Sequence, residues 1–150
     1  MNSIVAGAVA GFLATAPMTA AMLALHRLVP PPEREPLPPE EITQELAARS
    51  GAGELPEPAL NAATVAAHFA YGAAAGGVYG ALSPEARRRP VATGIGFGLA
   101  VWTVSYLGWL PAGGILEPAT RQPASENALM IASHVVWGAI TGALTDRLAD

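Results

Sequence analysis

The residues best suited to chemistry in this chain occur twice, in one frame. Residues 61–76 read NAATVAAHFAYGAAAG and residues 127–142 read NALMIASHVVWGAITG, with seven of the sixteen positions identical. Each copy sets an Asn seven residues before a His, an aromatic ring three residues after it, and a GxxxG starting at the next position. In an apolar helix an imidazole has three uses. It can bond a carbonyl, hydroxyl or amide of a neighbouring helix, at an average worth of about 0.6 kcal/mol. Paired on facing helices, His68 and His134 could serve as axial ligands of a haem b, with the adjacent glycines admitting a flat ring. As titrating groups they could form a conduit for protons or a small solute. The haem reading lacks a propionate clamp beyond the loop arginines, and the conduit reading lacks a carboxylate partner within the apolar stretches. A zinc site needs a further ligand, and His26 lies too near the end of its apolar stretch to supply one easily. No metal site and no catalytic residue is therefore assigned, and no P-loop, GxSxG, HExxH or dinucleotide fingerprint is present.

The elements that would hold these histidines are written in the charge distribution. Only 13% of the 150 residues are charged and 51% are hydrophobic, against roughly 25% charged in an ordinary soluble domain. The charges fall into blocks at residues 26–57, 85–89, 117–126 and 146–150. Between them run apolar stretches of membrane-spanning length. The expected fold is an all-α integral membrane domain covering 1–150, with four transmembrane helices at about 3–29, 60–82, 91–110 and 128–145. The first is read as a permanent helix kinked at Pro17 rather than a signal peptide, since it lacks a basic start. Without Cys there is no disulfide or thiolate chemistry. The net charge of −4 argues against a nucleic-acid partner.

Residues 30–59 form an acidic, Pro-rich loop with eight of the fourteen prolines and seven glutamates. Inside it, Pro38 to Arg49 reads as a short helix: Pro at its start, acids in its first turn, Arg in its last turn, Gly51 beyond. Ile42 and Leu46 share one face. The bland reading is a solvated connector; the alternative is a lid or docking element. Arg87, Arg88 and Arg89 crowd a short loop on the other side, so the positive-inside effect places both termini in the cytoplasm and the acidic loop outside.

The first and third segments also correspond, Gly7-x-x-x-Gly11 to Gly94-x-x-x-Gly98, so the expected unit is a helical hairpin repeated in tandem about an axis along the membrane normal. Gly7, Gly11, Gly72, Gly76, Gly94, Gly98, Gly138 and Gly142 are the expected helix-packing positions, within the chain or in a homodimer. Helical spacing puts Asn61, His68 and Tyr71 on one face, and Asn127, His134, Trp137 and Thr141 on the matching face. Polar groups are costly in hydrocarbon, so these stripes are expected to face the bundle interior. Asn61 and Asn127 have a second reading as helix caps.

The run Gly7-Ala-Val-Ala-Gly11 with Thr15-x-Pro17-Met18, the segment Leu37-Pro38-Pro39-Glu40-Glu41-Ile42, and His68-x-x-Tyr71-Gly72 together resemble the small YagU-like inner-membrane proteins of bacteria. The resemblance covers most of the chain. It implies a four-helix bacterial inner-membrane protein of unknown function, with no catalytic residue to carry over. The expected function is non-enzymatic: an accessory subunit or self-assembling bundle in the lipid bilayer, acting through helix association as a homo-oligomer or within a larger membrane complex. A haem b-binding redox subunit and a small-solute or proton conduit are the alternatives.

Overall fold

The computed structural model describes residues 1–34, 36–82 and 88–149. The described residues are helical with connecting loops, and contain no strand. Helix α1 spans Ser3–His26, α2 Pro38–Arg49, α3 Glu57–Gly80 and α4 Pro90–Val104. A wide π-turn, Ser105–Trp109, joins α4 to the single turn α5, Leu110–Ala112, and α6 spans Ala124–Ala149.

Proline sets most of these boundaries. Pro58 and Pro90 stand in the first turns of α3 and α4, where a missing N–H costs nothing. As a result α3 begins three residues before the expected Leu60. Likewise α6 begins four residues before Ala128, the Asn127 N–H bonding to the Pro123 carbonyl at 3.1 Å. At the other end of α1 the helix stops at His26 rather than Val29, ahead of Pro30, because the residue before a proline is driven out of the helical region. Pro17 lies inside α1 without dividing it. Pro111 does interrupt its helix. Its ring cannot coexist with a regular turn back to Leu107, and the chain widens there, with Gly108 at φ −114°, ψ −106°. Wide turns of this kind aim side chains away from the regular helical track.

Among the described residues three helical stretches are long and apolar enough to cross a membrane: Ser3–His26, Pro90–Ala112 and Ala124–Ala149. The expected four reduce to three on this measure. The missing one, α3, is as long as α1, but thirteen of its 24 residues are Ala or Gly, which lower its hydropathy relative to a Leu- or Ile-rich helix.

The packing order is α3, α1, α6, α4. Helix α1 packs extensively on both α3 and α6, and α4 packs on α6, whereas α3 and α4 meet only marginally. The expected twofold relation of two hairpins pairs α1 with α4 and α3 with α6. It therefore demands that an α1–α6 contact be matched by an α4–α3 contact. Only the first is extensive, so the packing does not follow that symmetry.

Glycine makes two of these seams. A Cβ on Gly7 or Gly11 would run into the carbonyl oxygen of Gly76 or Gly72, and a Cβ on Gly94 or Gly98 into that of Gly138 or His134. Reciprocally, a Cβ on Gly76 meets the Gly7 carbonyl, on Gly138 the Gly94 carbonyl, on Gly142 the Pro90 carbonyl, and on Gly72 the Thr15 hydroxyl. Backbones touch at these positions, and that contact substitutes in an apolar medium for the water-driven association of soluble helices. All eight glycines singled out in the sequence face a neighbouring helix of the same chain.

Candidate functional site

Because α3 and α4 do not close on each other, the four-helix arrangement has an open side. A cavity of ≈ 200 Å³ occupies it. Its floor is made by α1 and α6, through Thr15, Met18, Met130, His134 and Trp137. One wall is α3, through Ala67, His68, Tyr71, Gly72 and Ala75; the other is α4 with its π-turn, through Val101, Ser105, Tyr106, Trp109 and Leu110. Helix α2 covers the top with Pro39, Ile42, Thr43 and Leu46. Among the described residues no charged side chain lines the space.

Both histidines of the doubled motif reach this cavity, from different depths. His134 is buried, at 6% exposure. Its Nδ1 donates to the Met130 carbonyl at 2.8 Å, and its ring meets Tyr106 edge-to-face with centroids 6.0 Å apart. His68 is half-buried, and its Nδ1 lies 3.4 Å from the Thr19 hydroxyl of α1. That hydroxyl already donates to the Thr15 carbonyl at 2.8 Å, so toward His68 it accepts.

Two tyrosines of α3 tie the cavity walls together. The Tyr71 hydroxyl pairs with Ser105 Oγ at 3.0 Å, and its ring leans on Trp109 with centroids 6.4 Å apart. Near the far end, Tyr79 donates to the Pro90 carbonyl at 3.1 Å and packs edge-on against Phe97. Tyr79 is fully buried.

The roof is held at one end. Arg49, the last residue of α2, donates to the carbonyls of Gly113 and Gly114 at 2.6 Å each and to Glu45 Oε1 at 2.7 Å. Gly114 has φ +62°, a conformation glycine adopts without strain, and the turn it makes presents both carbonyls to the guanidinium.

The remaining sequence-singled residues divide sharply. Trp137 is 3% exposed and donates its indole N–H to the Gly11 carbonyl at 3.1 Å. Thr141 is fully buried, with its hydroxyl lacking a hydrogen-bond partner among the described residues. Asn127 is half-buried and donates to the Ala119 carbonyl at 2.7 Å, fastening the loop before α6 rather than lining the interior. Asn61 corrects the expectation outright: it is exposed and stands in the second turn of α3, so it neither faces the interior nor caps the helix. Tyr71 is 45% exposed, at the mouth of the cavity. Glu126, ahead of the expected helix start at 128, is a buried carboxylate within α6. It lies in the first turn, where the helix dipole favours negative charge. Ser105, Trp109 and Leu110 line the cavity without any mark in the helical spacing; Gly108 and Pro111 are the signal for them in the sequence.

Among the described residues no group of three or more His, Cys, Asp or Glu is placed to hold a metal ion. No curated protein and no solved structure matches the chain. One family does, described as a protein of unknown function (DUF1440), over residues 34–142. The matched stretch runs from the loop after α1 into the last third of α6 and covers well over half of the sequence, so this chain belongs to the DUF1440 family.

Proposed function

We propose that this chain is a non-enzymatic, four-span, YagU-like protein of the bacterial inner membrane, and that it works as an intramembrane binding protein for a small apolar molecule. The observation that carries the reading is the uncharged cavity between α3 and α4, reached by both motif histidines. Apolar cavities with a few convergent polar groups are the usual form of a small-molecule site. Helix α3, though less apolar than the other three, matches α1 in length and packs along it, which supports counting it as the fourth span. Both termini are then cytoplasmic, with α2 outside and over the cavity. Arg88 and Arg89 fall on the cytoplasmic side; Arg87, the third member of that cluster, lies outside the described residues.

Association through the glycine faces, the role expected from sequence, has less support. Those faces are occupied within the chain, so an oligomer or accessory-subunit contact would use the outward Val, Leu and Phe surface. Haem b has the paired histidines in its favour. Yet a cavity near 150 Å³ is filled by one benzene, and a porphyrin is several times larger than a space of ≈ 200 Å³. It would need α3 and α4 to move apart, so the smaller ligand is the better reading.

The test is a titration of detergent-purified protein with 4-ethylanisole, followed by the emission of Trp109 and Trp137. The expected result is a saturable change that Ala67→Phe, which fills the cavity, abolishes. A linear response shared by wild type and Ala67→Phe would mean partitioning into detergent and would overturn the reading. Topology is checked separately. The native chain has no Cys, so Ala52→Cys and Arg88→Cys should label from opposite faces of the membrane with an impermeant maleimide.

A further inference from the structure

The hydrogen bonds of the two histidines fix more than their positions. A carbonyl oxygen only accepts, so His134 Nδ1, 2.8 Å from the Met130 carbonyl, carries the proton. The Thr19 hydroxyl spends its own proton on the Thr15 carbonyl, so His68 Nδ1 is the donor of that pair as well. In a neutral imidazole one nitrogen donates and the other accepts. Both rings therefore present Nε2 as a bare lone pair. His134 is almost fully buried, and its Nε2 has no protein donor among the described residues. His134 lines the cavity, so this acceptor can take a donor from whatever occupies it.

We propose that the cavity ligand is a neutral phenol-type molecule: a small ring whose hydroxyl donates to the Nε2 of His134, with that of His68 as the second acceptor at the same space. The inference rests on the binding role given above and specifies the chemistry of its ligand. Three observations converge on it. The absence of any charged lining residue among those described disfavours a carboxylate or ammonium head, which would be buried without a counter-charge. A volume of ≈ 200 Å³ takes a substituted benzene, on the scale of benzene in about 150 Å³. The aromatic lining of Tyr71, Tyr106, Trp109 and Trp137 suits a flat ring, edge-on or offset. The ligand can be a free phenol or the ring of a tailed membrane lipid, its tail leaving between α3 and α4.

The experiment is a calorimetric titration of the full-length, detergent-purified chain with 4-ethylphenol and with 4-ethylanisole, which differ by the hydroxyl proton. A neutral hydrogen bond to a buried acceptor should make the phenol bind roughly ten-fold tighter. His134→Leu should cut that preference to about two-fold while 4-ethylanisole binds as before, and His68→Leu should cut it less. Equal binding of both probes to wild type overturns the phenol inference and leaves the cavity reading standing. Binding of neither overturns both. The wild-type comparison decides the matter even if His134→Leu fails to fold. 4-Nonylphenol then separates the sources: ten-fold preference retained over its methyl ether supports a tailed lipid, and preference confined to 4-ethylphenol supports a free phenol.

Discussion

The same sixteen-residue frame sits at the centre of the molecule in α6 and at its margin in α3. Helix α6 lies between α1 and α4, whereas α3 packs mainly on α1 and leaves a face toward the opening. The frame responds position by position. Trp137 is buried where Tyr71 is exposed, Thr141 is fully buried where Ala75 is half-buried, and Asn127 is bonded where Asn61 faces outward. The glycines behave alike in both copies: Gly72 and Gly76 seat α1, and Gly138 and Gly142 seat α4. Backbone-to-backbone packing is thus common to both copies, while the environment of the polar residues depends on how many neighbours surround the helix. One consequence is functional. Only a marginal copy can leave a gap beside it, and that gap is the cavity.

The widest expected difference comes from the glycines. Gly138→Val forces a branched side chain into the Gly94 carbonyl, on a helix that also carries α1. Overpacking of this sort costs about 1–3 kcal/mol or more. Gly76→Val strikes the Gly7 carbonyl but disturbs one neighbour only. Thermal unfolding in detergent should rank Gly138→Val below Gly76→Val, and an equal loss would break the centre-versus-margin distinction. Next in size is Trp137→Phe, which leaves the buried Gly11 carbonyl without its indole donor and should cost about 1 kcal/mol. Tyr71→Phe removes a bond at the cavity mouth and should cost about half that or less. Of comparable size is the asparagine pair: Asn127→Ala should lower stability by about 0.5–1 kcal/mol through the lost Ala119 contact, and Asn61→Ala should be neutral. A matching loss at Asn61 would show that the marginal copy is more enclosed than its exposure indicates.

Much of this was legible in the chain itself. The segments of charge and the prolines gave the helices, and α2 matches the stretch Pro38–Arg49 marked by its terminal residues. The glycine spacing marked the seams. What the sequence could not give was which helix lies inside. Amphipathic contrast normally reports that, but in a membrane both lipid and protein neighbours are apolar, so Val65 and Leu129 read alike although one is exposed and the other buried. The repeat suggested equal surroundings for its two copies, and packing made them unequal. The π-turn at Ser105–Trp109 was invisible to helical periodicity, because Pro111 shifts the phase of every residue that it brings to the cavity. The roof was legible as a helix and not as a roof, since the Arg49 bonds to Gly113 and Gly114 join positions more than sixty residues apart.

The central claim is that two histidines from unequal copies of one motif turn bare Nε2 atoms toward one shared space. Solid-state ¹⁵N spectra of histidine-labelled protein in bilayers test it directly, with the third residue, His26, assigned by substitution. The account predicts Nδ1–H tautomers for both His68 and His134, and a shift of the His134 Nε2 resonance on adding 4-ethylphenol but not 4-ethylanisole. An Nε2–H tautomer at either histidine, or a His134 Nε2 resonance unmoved by 4-ethylphenol, would contradict it.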